Sequence, residues 1–169
     1  MALIQTVLLA DADVLIDYRE SEFEILGLVV QHLGQVVVLA PVLDEVQGVT
    51  PAQCVRFGID IVDIETEQLI QASEISPGVS FNDRLCLIAC REEGWTCVTN
   101  DGALRRLCEH HGVATRFGLG LMVDLVAVGA LTRRRAVAIA RQIQKSNPLH
   151  INESVLARFM AALTGRASS

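Results

Sequence analysis

Short runs of branched apolar residues alternate along this chain with longer stretches of helical period. Residues 6–10 form an apolar run that ends in acids, and residues 14–33 carry helical spacing through Leu15, Phe23, Leu26 and Val30. Residues 35–40 are a valine-rich strand stopped by Pro41, with a helix expected to begin near Val42. Residues 61–64 predict another strand, and residues 66–74 and 82–93 predict helices, the second closed by Gly94. A short strand is expected at 96–99, a helix at 102–111 and a further short strand at 114–117. Three helices follow, at 119–128, 132–145 and 152–163. Brief, almost wholly apolar strands between helices indicate a parallel sheet covered on both faces, hence an α/β protein.

Composition narrows this picture. The 169 residues are 51% apolar and 20% charged, which excludes a disordered chain and leaves enough length for one full core. No repeat, low-complexity stretch or Pro/Gly/Ser linker divides it. The first residues carry no basic group ahead of their apolar run, so no secretory signal is read there. The longest apolar segment, 118–131, is interrupted by Asp124 and is too short for a bilayer span. Five cysteines without a C-x-x-C pair read as small buried hydrophobes in a reducing cytoplasm. Cys108 and His111 are spaced as two metal ligands could be, but a solvated histidine at a helix end explains them better.

The net charge of −6 hides a division along the chain. Residues 1–104 hold four arginines against 17 acids, a net of −13, whereas residues 105–169 hold ten basic groups against three acids, a net of +7. Such asymmetry keeps a polyanionic partner open.

The acids that matter fall where strands end, because ligands of open parallel sheets bind beyond the carboxyl ends of their strands. The first strand runs into Asp11, with Asp13 and Asp17 following; P-V-L-D-E-V places Asp44 and Glu45 after the second; Asp83 opens the helix before T-C-V-T; and Asn100-Asp101 follow that strand. Singly these acids read as helix caps or solvated charges. Together they would repel unless a cation compensates, and an all-oxygen set suits Mg²⁺ or Mn²⁺.

D-A-D-V-L-I-D after an apolar strand, A-P-V-L-D-E-V, S-F-N-D-R-L-C-L-I-A and C-V-T-N-D-G-A-L-R-R-L stand in the order seen in PIN domains, which this chain resembles from Thr6 to Thr132. The resemblance is to the metal-dependent ribonucleases of VapC-like toxin–antitoxin pairs. It implies a three-layer α/β/α fold with a central, mostly parallel, twisted sheet. It also implies one PIN-like domain over residues 1–169, with a core at 6–132 and a helical extension at 133–165. Asp11, Glu45, Asp83 and Asp101 would be the catalytic acids, with Asp11, Asp83 and Asp101 holding Mg²⁺ or Mn²⁺ and Glu45 helping directly or through water. The ion would lower the pKa of a water, position the nucleophile and leave a 5′-phosphate. Asp13 departs from the family, which often has Asn or Ser there, and is either a further ligand or a polar neighbour. Asn100 and Arg84 are candidates for contacting phosphate or orienting a ligand.

Arg133, Arg134 and Arg135 fill the first turn of a helix capped by Thr132, where positive charge opposes the dipole. With Arg105, Arg106 and Arg116 they supply phosphate contacts, or else a solvated face paired to the acidic half. Asn152 caps the last helix, whose stripe of Val155, Leu156, Phe159, Met160 and Leu163 packs on the core. In the toxin families that region can also serve a homodimer or a small antitoxin protein encoded next door. RNA is the expected substrate. Two other readings are open: a catalytically silent PIN-like scaffold binding RNA or protein, and a haloacid-dehalogenase-like phosphatase. The latter would use Asp11-Ala12-Asp13, but its late acidic pair is missing, since the lone Lys145 precedes Ser146 and Asn147.

Overall fold

Valine and leucine dominate β1 (Val7–Ala10) and β2 (Gln35–Leu39), and both strands are buried on both faces except at their first residue. A computed structural model describes residues 5–165. β3 (Asp60–Val62), β4 (Thr96–Val98) and β5 (Thr115–Arg116) complete a five-stranded sheet in the order β3-β2-β1-β4-β5. Every pairing is parallel, with Leu8 opposite Val36 on one side and Thr96 on the other. The edge strands β3 and β5 are partly exposed, which matches their shortness and mixed composition.

The helices between strands follow from this order. The chain leaves β1 toward β2 and β3, then returns across the sheet to β4 and β5. Right-handed connections therefore place the helices of the two halves on opposite faces. On one side α1 (Ala12–Glu20), α2 (Glu24–His32), α3 (Ala40–Glu45) and α4 (Pro51–Phe57) pack with one another. Onto them pack α8 (Gly118–Ala127), α9 (Arg133–Ser146) and α10 (Glu153–Gly165). On the other side α5 (Thr66–Glu74), α6 (Phe81–Glu93) and α7 (Gly102–His110) form a second group. This is the expected α/β/α arrangement with additional C-terminal helices. Ala136, Ile139, Ile143, Phe159 and Leu163 of α9 and α10 join the same buried cluster as the sheet.

Several boundaries differ from the sequence expectation. The helical stretch at 14–33 is two helices, because the chain turns at Ser21–Phe23, where Ser21 Oγ donates to the Asp17 carbonyl at 2.8 Å. Pro41 does not merely stop β2; it lies in the first turn of α3, which begins at Ala40 rather than near Val42. The helix α4 was not expected. It is started by Thr50 and Gln53 in a reciprocal cap and closed by Gly58 at φ 75°, a backbone shape that favours glycine. β3 begins at Asp60, one residue earlier than the apolar run suggested. Thr132 and Asn152 do cap α9 and α10, accepting from Arg135 N at 3.2 Å and Val155 N at 3.0 Å.

All five cysteines are free and buried, and His111 faces Arg91 rather than Cys108's buried surroundings. Among the described residues no helix is long and apolar enough to cross a membrane. Residues 1–4, which open the segment read for a signal, and Arg166, counted in the basic surplus, lie outside the described residues.

Candidate functional site

The strand order makes one place on the sheet special. β1 and β4 are neighbours, yet the chain leaves β1 toward β2 and leaves β4 toward β5. Their connections diverge, and in open parallel sheets the crevice that takes ligands lies beyond the carboxyl ends at such a point. Asp11 and the Thr99–Asp101 turn stand there, joined by the Asp11 N–H donating to the Val98 carbonyl at 3.2 Å.

Asp11 is only 1% exposed and caps α1, its Oδ1 accepting from the Val14 N–H at 2.8 Å. Burial pushes its carboxyl up to about 8. Bonds from Thr99 and Val14 oppose that push, and the charges of Asp13 and Asp83 add to it. Asp13, half-buried in the first turn of α1, is also held above the usual range by burial; the His150 charge lowers it, and Asp101 and Glu45 raise it. Asp83 sits in the first turn of α6 in a reciprocal cap with Ser80. Burial raises its carboxyl, the Ser80 bonds lower it, and Asp101 and Asp13 raise it again. Asp101 caps α7, its Oδ1 accepting from the Ala103 N–H at 2.7 Å. Glu45, exposed at the end of α3, accepts from Asn82 Nδ2 at 2.5 Å, and Asn82 also donates to the Pro41 carbonyl at 3.3 Å. Asn82, which the sequence did not mark, thus ties Glu45 to the start of α6.

Four of the five acids thus gather electrostatically around Asp13, a position read only as a ligand or a neighbour. The donor set is all carboxylate, as a hard divalent ion prefers. Among the described residues, however, no three His, Cys, Asp or Glu side chains come together closely enough to hold an ion.

The residues proposed to meet substrate are scattered. Asn100 is buried and both ends of its amide are engaged: Nδ2 donates to Asp17 at 2.9 Å and Oδ1 accepts from the Gly118 N–H at 2.9 Å. Arg84 donates to the Ala72 and Ile75 carbonyls at 3.2 and 3.0 Å, fastening the end of α5 to α6. Arg105 lies over the Phe117 ring at 4.1 Å. Arg116 pairs with Asp124, and Arg135 with Glu22 at 2.9 Å and Glu24 at 3.1 Å. Arg133 is exposed at the far end of α9, about 20 Å along the helix from Asn147.

A second buried carboxylate stands beside the crevice. Asp17 is 2% exposed and accepts from Asn100 and, at 3.0 Å, from Asn147 at the end of α9. Burial raises it to about 6 against those two bonds; the Asp13 charge adds to the rise and His150 opposes it. Tyr18 Oη donates to the Gly118 carbonyl at 2.6 Å. Gly118 admits no side chain, since a Cβ there would lie 2.9 Å from Asn100 Nδ2 and 3.0 Å from Val14 Cγ2. Asn147 and His150 escaped the sequence reading because nothing along the chain links them to positions 13 and 17.

No family model matches the chain, and neither does any curated protein. Among solved structures, it is similar to a PilT N-terminus domain protein from the hyperthermophilic archaeon Sulfolobus solfataricus P2. The TM-score is 0.47 and the identity 9%, over 70% of this chain and 92% of that one.

Proposed function

We propose that this chain is a divalent-metal-dependent ribonuclease of PIN type. The observation that carries this reading is Asp11: a carboxylate buried at the β1/β4 divergence, pushed up to about 8 by burial and by neighbouring acids. A carboxylate so placed holds its proton more readily than an ordinary one unless a cation offsets its surroundings. Asp11, Asp83 and Asp101 would hold Mg²⁺ or Mn²⁺, with Glu45 assisting. When bound, such an ion supplies Lewis acidity and offsets phosphate charge. The chain's own part is to fix the carboxylates. Asp11 and Asp101 are anchored as helix caps, Asp83 is locked to Ser80, and Asn82 holds Glu45. The role in the cell would be that of a toxin, acting in the cytoplasm as a homodimer and restrained by a small antitoxin protein encoded beside it.

A catalytically silent scaffold is the second reading, favoured by the separation of the acids in the described residues. Mn²⁺ binding separates the two, because a scaffold takes up no ion at these carboxylates. The ribonuclease cleaves RNA with Mg²⁺ or Mn²⁺ and stops in excess EDTA; undiminished cleavage in EDTA overturns the metal assignment. Expression with and without the neighbouring reading frame tests the toxin role. Growth arrest relieved by that neighbour supports it, and absence of arrest points to housekeeping RNA metabolism.

A further inference from the structure

α9 contains five cations and no acid. Only Arg135 of these forms an ion pair among the described residues, and it turns toward Glu22 and Glu24 at the junction of α1 and α2. Further along, Gln142 Nε2 donates to the Glu20 carbonyl at 3.0 Å, and Asn147 Nδ2 reaches Asp17. These three contacts step backwards along α1 as α9 advances, so the two helices run antiparallel. The C-terminal end of α9 therefore arrives beside Asp17 in α1, on the way toward the end of that helix that bears Asp11 and Asp13. The turn that follows carries His150, whose charge acts on both Asp13 and Asp17.

The outward side of α9 holds Arg134, Arg141 and Lys145, all exposed. At 100° per residue they fall within about 40° of one another, in a row about 16 Å long. No side-chain hydrogen bond or ion pair engages them among the described residues. A lone row on one helix matches one strand of a nucleic acid, whereas a duplex presents phosphates on both sides of a groove. The helix has no aromatic side chain on which bases could stack, so the row would engage phosphates without reading sequence.

We propose that Arg134, Arg141 and Lys145 form a track for the phosphate backbone of one RNA strand, leading it along α9 to the carboxylates at the start of α1. The assignment rests on the ribonuclease reading and gives its substrate an approach direction.

The test is binding of a short single-stranded RNA in EDTA across a salt series, read by fluorescence anisotropy. The R134A/R141A/K145A variant flattens the plot of log K against log salt by about 2, at about 0.7 per phosphate contact. R134K/R141K, which keeps the charges, retains the original slope, as does R56A, which removes an exposed cation on α4. An unchanged slope in the triple variant overturns the track. An equal loss against a DNA duplex of the same length overturns its assignment to a single strand. Because EDTA separates binding from cleavage, a protein that binds with the expected slope but cuts nothing with Mg²⁺ or Mn²⁺ overturns the ribonuclease reading alone.

Discussion

Asp11 and Asp17 lie six residues apart at the two ends of one stretch of α1, 1% and 2% exposed, and their surroundings differ in kind. Asp17 is surrounded by amides: Asn100 and Asn147 both donate to it, and each amide comes from a different part of the fold. Asp11 has one backbone N–H and the Thr99 hydroxyl; the Asp13 charge acts on both acids, and at Asp11 that of Asp83 adds to it. Burial dominates both carboxyls, yet Asp17 reaches about 6 and Asp11 about 8. Burial of an acid is therefore not in itself the mark of a site. A carboxylate whose oxygens are served by neutral donors joins helices together, and one left among like charges calls for a cation.

The widest separation of the two comes from substitution at each. Asp11→Asn is expected to lower divalent-dependent RNA cleavage by on the order of 10³-fold. Asparagine caps a helix as well as aspartate and brings no charge into the buried site. The variant is therefore expected to be at least as stable as the parent in urea unfolding at neutral pH without divalent ions. Full activity in that variant removes Asp11 from the chemistry. Asp17→Ala strands the buried Asn100 amide and the half-buried Asn147 amide and is expected to cost about 3 kcal/mol in the same unfolding experiment. If it instead leaves stability untouched and abolishes cleavage, the distinction between the two acids collapses.

Gly118→Ala probes the Asp17 side more gently. The new methyl would press on Asn100 and Val14, and a loss of about 1–3 kcal/mol is expected. An unaltered unfolding curve would mean that Asn100 has room to yield. The last test is a slope with pH. Both carboxyls lie above their ordinary value of 3.8, so the folded state binds protons that the unfolded chain releases. Their stabilising contributions are complete below 3.8; that of Asp17 is lost as pH rises to about 6, and that of Asp11 as it rises to about 8. Without divalent ions the melting temperature should fall over this range. Asp11→Asn should flatten the upper part of the fall, and Mg²⁺ should restore stability there. A flat profile for the parent protein would contradict the burial of both acids.

Some of this was legible in residues 1–169 and some was not, for physical reasons. Strands buried on both faces are mostly apolar, so β1, β2 and β4 stand out, and an acid directly after one, such as Asp11, or three residues on, such as Asp101, is visible too. α4 has Cys54 as its only buried residue, so it leaves no apolar stripe, although its Thr50–Gln53 cap was present to be read. The break between α1 and α2 falls inside an apolar period that continues across it. The partners of Asp17 lie 83 and 130 residues away, and no local pattern encodes a contact of that reach. The arginines were the least legible. Charge says that a side chain is basic, but only the fold decides that Arg84 ends on the α5 carbonyls and Arg135 on Glu22.

The pairing of β1 with β4 has a consequence in time. Leu9 lies beside Val37 but also beside Cys97, nearly 90 positions later in the chain. During synthesis β1, β2 and β3 can associate while the ribosome is still making α6. Asp11 then borders an open sheet edge with no Thr99 and no Asp101 beside it. The Asn147 contact to Asp17 waits longer still. Long-range pairing of this kind is slow to form. A growing chain therefore carries Asp11 apart from Asp101 until β4 and the turn after it have left the exit tunnel. Under the proposed ribonuclease function, that order of events would protect the message and the ribosome producing it.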